Sequence, residues 1–88
     1  MLTTREEVYQ ALDSERDYQD RRWGPEQSSG KHSVAEFLLY MQDYLTQAIN
    51  QSSRNADPLA TTLALDTVRK ITAMGVACME QNGVVDRG

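Results

Sequence analysis

Residues 32–51 read HSVAEFLLYMQDYLTQAINQ, and this stretch decides the fold. Val34, Phe37, Leu38, Met41, Tyr44, Leu45, Ala48 and Ile49 recur at steps of three and four, the spacing that lines one face of an α-helix. Ser33 followed three residues later by Glu36 forms a capping box, so a helix is expected over about 33–50. Glu36, Tyr40, Asp43 and Gln47 run beside the apolar stripe at the same spacing.

Working outward, residues 24–31 (GPEQSSGK) have the composition of a loop, and Gly24-Pro25 ends whatever helix precedes them. A first helix is expected over about 4–23. Thr3 with Glu6 reads as its capping box, Glu6 and Glu7 suit the positive helix start, and Val8, Leu12 and Tyr18 supply an apolar stripe. On the other side, residues 51–56 are polar. Asp57-Pro58 then combines an N-cap acid with proline at the first helical position. A third helix is expected over about 58–82, closed by Gly83. Its apolar residues, Leu59 to Met79, fall on more than one face, as in a helix packed between neighbours. The expected fold is all-α: one domain over residues 1–88, a three-helix protomer assembling into an oligomeric bundle. Ala73, Gly75 and Ala77 would let helices approach closely.

The bulk numbers agree. A chain of 88 residues carries a thin core, and its single cysteine, Cys78, has no partner for a disulfide, which leaves oligomerisation as the usual remedy. A lone thiol in an apolar run fits a reducing compartment. The chain turns polar directly after Met1-Leu2, and no apolar run approaches membrane-spanning length, so a cytoplasmic protein off the membrane is expected. Thirteen acidic against nine basic side chains give a net charge of −4, which disfavours duplex nucleic acid as a partner. A small anionic ligand stays open, because local charge can oppose net charge.

Three polar groups interrupt the pattern. Asp66, Arg69 and Lys70 lie inside the most apolar helix, either as a local ion pair on a solvated strip or as cations lining a cleft. Glu36, Tyr40 and Asp43 make a solvated flank or a ligand edge, but a poor metal site, since Glu36 and Asp43 stand roughly 10 Å apart along the axis. The run from Glu15 to Trp23 is a mixed-charge face ending in an indole that serves as a lid or as a platform for a base. His32 has no partner at metal-ligand spacing and reads as a loop histidine. Zinc-site patterns, phosphate-binding glycine loops and nucleophile elbows are absent from the sequence.

Glu15-Arg16, Gln19-Asp20 and Trp23-Gly24, followed by His32-Ser33 with Glu36-Phe37-Leu38 and by the closing AMGVACME at 73–80, resemble the small phage-type MazG-like proteins of the all-α nucleoside triphosphate pyrophosphohydrolase superfamily. The resemblance spans about Leu12 to Glu80. It implies a magnesium cage built from Glu-Glu-x-x-Glu on the second helix and Glu-x-x-Asp on the third. Here those stretches read Gln42-Asp43-Tyr44-Leu45-Thr46-Gln47 and Asp66-Thr67-Val68-Arg69-Lys70, with too few acids and two cations in their place. The expectation that follows is a non-catalytic nucleotide binder with no cofactor. Arg69, Lys70, Arg16 and Arg22 would meet phosphates, and Trp23 and Tyr40 a base. Asp43 and Asp66 would orient the cations or accept hydrogen bonds from the ligand. In a phage setting such a protein would act in the host cytoplasm, sequestering a nucleotide or cyclic nucleotide that serves as an immune signal. Two alternatives remain: a magnesium-dependent pyrophosphohydrolase using Glu15, Glu36, Asp43 and Asp66, and a helical protein–protein interaction module.

Overall fold

In the computed structural model, which describes residues 3–22, 31–52 and 59–88, the chain forms three helices: α1 (Arg5–Arg22), α2 (Val34–Ser52) and α3 (Leu59–Asn82). The expected helices are all present, and no strand occurs among the described residues. The expected stops at Gly24-Pro25 and the start at Asp57-Pro58 lie outside the described residues, as does Trp23.

Each described helix end has a chemical cause. At the start of α2, Ser33 N donates to Glu36 Oε1 at 2.8 Å and Glu36 N to Ser33 Oγ at 3.1 Å, the reciprocal pair read from the sequence. At the start of α1 the box sits one residue later than expected. Thr4, not Thr3, accepts from Glu7 N at 3.1 Å, and Glu7 Oε1 accepts from Thr4 N at 3.0 Å. Thr3-Glu6 and Thr4-Glu7 have the same spacing, so sequence could not separate them. α3 ends at Gly83, whose φ of 103° lets its N–H reach Met79 O at 2.8 Å.

α3 is the centre of the fold, and α1 and α2 pack on it rather than on each other. α2 runs antiparallel to α3. His32 N donates to Gln81 Oε1 at one end, Met41 lies beside Gly75 in the middle, and Thr67 Oγ1 donates to Gln51 Oε1 at the other. The core is small: Phe37 and Ala48 from α2 meet Ala60, Ala73, Met74 and Ala77 from α3. Burying Phe37 is the largest single apolar gain, about 2–3 kcal/mol.

α1 is held differently. Its inward positions are Leu12, Glu15, Arg16 and Gln19, a correct helical face filled mostly by polar residues, and only Glu15 and Gln19 are buried. Val8 and Tyr18, expected on the apolar stripe, are about half exposed. Val8 lies on the same helical face as Leu12, Glu15 and Gln19, so the expected stripe had its phase right at Val8 and Leu12 and missed it at Tyr18, and α1 docks on that face mainly through charge. Glu15 and Arg16, neighbours in sequence, splay to Arg69 and Glu80, positions about 16 Å apart along α3. They pin α1 at two points.

Much apolar surface stays open in the single chain. Val34, Leu38, Leu45 and Ile49 form an exposed stripe on one flank of α2, and Leu59, Leu63, Leu65 and Val68 are exposed on α3. No described helix is long and apolar enough to cross a membrane.

Candidate functional site

Because α1 and α2 each grip α3 without touching one another, a groove opens between them with α3 as its floor. Its larger part is a cavity of about 480 Å³. Arg16, Gln19 and Asp20 of α1 form one wall, Phe37, Tyr40, Asp43 and Tyr44 of α2 the other, and Met74, Ala77 and Gln81 of α3 the floor, with His32 at the start of α2. A smaller part of about 120 Å³ adjoins it, sharing Gln19, Tyr44 and Met74 and adding Glu15, Tyr18, Arg22 and Lys70.

The two parts differ in charge. In the larger one, Arg16 is already engaged: its Nε donates to Glu80 at 2.9 Å, Nη2 to Asp20 at 2.8 Å and Nη1 to Gln19 at 3.1 Å. Burial works against its charge, but the hydrogen bonds to Glu80 and Asp20 outweigh burial and hold the guanidinium above the ordinary arginine range. Among the described residues Asp43 has only a long contact from Gln47 Nε2, at 3.5 Å. The negative charge of Asp43 is therefore available to a ligand. His32 is held by its backbone, which donates to Gln81 Oε1 at 2.8 Å and accepts from Asn82 Nδ2 at 3.1 Å. Its ring stands edge-on to Phe37 and Tyr40, with centroids 5.8 and 5.5 Å away. Since Gln81 Oε1 serves His32, its amide nitrogen is left to donate.

In the smaller part, Arg22 forms no ion pair among the described residues, and Lys70 Nζ stands 3.3 Å from Asp66 Oδ2. Arg69 turns away toward α1, donating from Nε to Glu15 at 2.9 Å and from Nη2 to Asp66 at 2.5 Å. Asp66, hydrogen-bonded by Arg69 and then by Lys70, is held below the usual carboxylate range.

Of the residues expected from the sequence, Arg16, Tyr40 and Asp43 line the larger cavity, and Arg22 and Lys70 line the smaller. Asp66 and Arg69 line neither and form an ion-pair network with Glu15 and Lys70. The local ion pairing read from the sequence is present for the whole Asp66–Lys70 stretch, with Asp66 meeting both Arg69 and Lys70, and Lys70 also lines the smaller part of the groove. Gln19, His32, Phe37, Tyr44 and Gln81 were not expected at the site. Phe37 and Tyr44 read as core because they sit at the edge of the apolar stripe. Gln81 lies 49 residues from His32, and Glu80 lies 64 from Arg16, separations that no helical periodicity can signal.

The acids do not make a magnesium cage. Glu15 faces Arg69, Glu36 caps α2 through Ser33, Asp66 is taken by Arg69 and Lys70, and Asp20, the other carboxylate lining the cavity of Asp43, is paired with Arg16. No three His, Cys, Asp or Glu side chains among the described residues are grouped to hold a metal ion. Compared with known proteins, the chain matches no family model, no curated protein and no solved structure.

Proposed function

We propose that this chain is a non-catalytic nucleotide-binding protein of MazG-like type, active as a homo-oligomer in the cytoplasm. The observation that carries the reading is the groove itself. It offers Lys70 and Arg22 at one end, and Tyr40, Tyr44, Asp43 and the Gln81 amide at the other. Lysine and arginine suit phosphate oxygens, and tyrosine faces with hydrogen-bonding neighbours suit a base. Hydrolysis of a triphosphate needs clustered carboxylates to bridge phosphates through a metal and orient water. Here Glu15 and Asp66 face cations instead. That arrangement supports a reading of binding without turnover. A protein of this kind, if phage-encoded, would serve as a sponge for a nucleotide-derived host signal.

Oligomerisation is supported by the α2 stripe of Val34, Leu38, Leu45 and Ile49, which is apolar, contiguous at helical spacing and exposed.

Titrating the purified chain calorimetrically with linear and cyclic nucleotides tests the reading. Heat of binding with the ligand recovered intact is expected. Magnesium-dependent release of pyrophosphate from a nucleoside triphosphate, abolished by Asp43→Ala, would replace it with the hydrolase, and no binding by any nucleotide would leave the interaction module.

A further inference from the structure

We infer that the ligand lies in one direction along the groove, phosphate toward Lys70 and Arg22, and that its base carries an exocyclic amino group received by Asp43. This rests on the nucleotide reading above and adds to it a polarity and a choice of base.

The argument starts from charge. In the larger cavity Arg16 is opposed by Asp20 and Asp43, leaving a net −1 on the lining side chains. In the smaller part Arg22 and Lys70 are opposed by Glu15, leaving a net +1. A phosphate placed in the larger cavity would meet the uncompensated carboxylate of Asp43, and the guanidinium of Arg16 is already turned to Glu80 and Asp20. Placed at the smaller end, the same phosphate meets a guanidinium without an ion-pair partner among the described residues and an ammonium 3.3 Å from its carboxylate. A phosphate is repelled by Asp43 in the larger cavity and attracted at the Lys70–Arg22 end, whereas a neutral base meets no repulsion at either, so the phosphate sets the direction.

The base then falls between Tyr40 and Tyr44 in the larger cavity, where Asp43 lies on the same helix wall. An ionised carboxylate only accepts hydrogen bonds. It pairs with an amino group, as on cytosine, adenine or guanine, and it confronts the lone pairs of a carbonyl, as on uracil or the hypoxanthine six-position. Asp43 therefore selects by matching one group and opposing its replacement.

The test is equilibrium binding of the full chain to two pairs of nucleotides, AMP with IMP and CMP with UMP, in which an amino group is replaced by an oxo group and the neighbouring ring nitrogen changes from acceptor to N–H donor. The amino member of each pair is expected to bind about tenfold more tightly or better, and Asp43→Asn, an exposed and foldable change, is expected to bring each ratio below about threefold. Lys70→Ala is expected to cut the preference for AMP over adenosine several-fold, with Arg22 keeping the remainder. Equal affinities within each pair, or a preference that survives Asp43→Asn, would overturn the base assignment while leaving nucleotide binding intact. A Lys70→Ala chain that still prefers AMP to adenosine by the wild-type ratio would overturn the polarity. Failure of all four nucleotides to bind would overturn this inference, while the nucleotide reading itself falls only if the wider series of linear and cyclic nucleotides also fails to bind.

Discussion

The Nε of Arg69 donates to Oε1 of Glu15 at 2.9 Å, joining α3 to α1 through a carboxylate whose side chain is only 9% exposed. With Arg16 and Glu80, this pair does for α1 what apolar packing does for α2.

Replacing Arg69 by Met leaves that carboxylate buried without a cation. Loss of one partner of a fully buried pair costs roughly 3–5 kcal/mol. Arg69 is 39% exposed, so screening lowers the expected loss to about 1–3 kcal/mol. Urea unfolding measures it, and amide exchange should accelerate in α1 before α2. If α1 stays as protected as in the parent chain, the pair is not what holds it.

Gly75 sits in the middle of α3 with a helical backbone, and an added Cβ would lie 3.7 Å from Met41 Cε, ordinary van der Waals distance. Gly75→Ala should therefore stabilise the chain by about 0.5–1 kcal/mol through helix propensity. A lowered melting temperature would mean that α2 and α3 approach more closely than that contact implies.

Lys70→Glu should abolish nucleotide binding, read by calorimetry, while sedimentation shows the oligomer unchanged. Asp66 competes with any phosphate for Lys70 at 3.3 Å, so Asp66→Asn should strengthen nucleotide binding several-fold. Affinity left unchanged by both substitutions would take Lys70 out of the site.

On the α2 flank, Leu38 and Leu45 are 59% and 51% exposed and belong to the stripe proposed to meet a second copy. Leu38→Glu combined with Leu45→Glu should shift the assembly to monomer in sedimentation equilibrium with helix content retained, because a paired interface cannot bury unpartnered carboxylates. An unshifted distribution would place the contact elsewhere.

Acid should destabilise the chain for identifiable reasons. Asp66 is lowered by Arg69 first and Lys70 next, while Glu7 and Glu36 are lowered first by the backbone amides of Thr4 and Ser33. Carboxylates whose folded values lie below their unfolded ones bind fewer protons when folded. Their contribution is therefore complete above about pH 5 and is lost as pH falls through the folded values. Asp66→Asn should flatten the acid limb of a plot of melting temperature against pH. An unchanged limb would show that the Asp66 pairs are screened to nothing.

What the sequence determined by itself is local. The stripe from Val34 to Ile49, the Ser33–Glu36 box and the Gly83 stop act over three to seven residues, where helix geometry fixes who meets whom, and they were legible without coordinates. The cluster of Asp66, Arg69 and Lys70 was legible as a group. Its division was not, because Arg69 faces Glu15 and Lys70 faces the groove only once α1 has docked. The site belongs to tertiary structure. Arg16 with Glu80 and His32 with Gln81 are brought together by the antiparallel return of α3, across sequence separations that carry no periodic signal. How α1 docks was decided there too, since Arg69 and Glu80 on α3 hold Glu15 and Arg16 and leave Val8 and Tyr18 about half exposed.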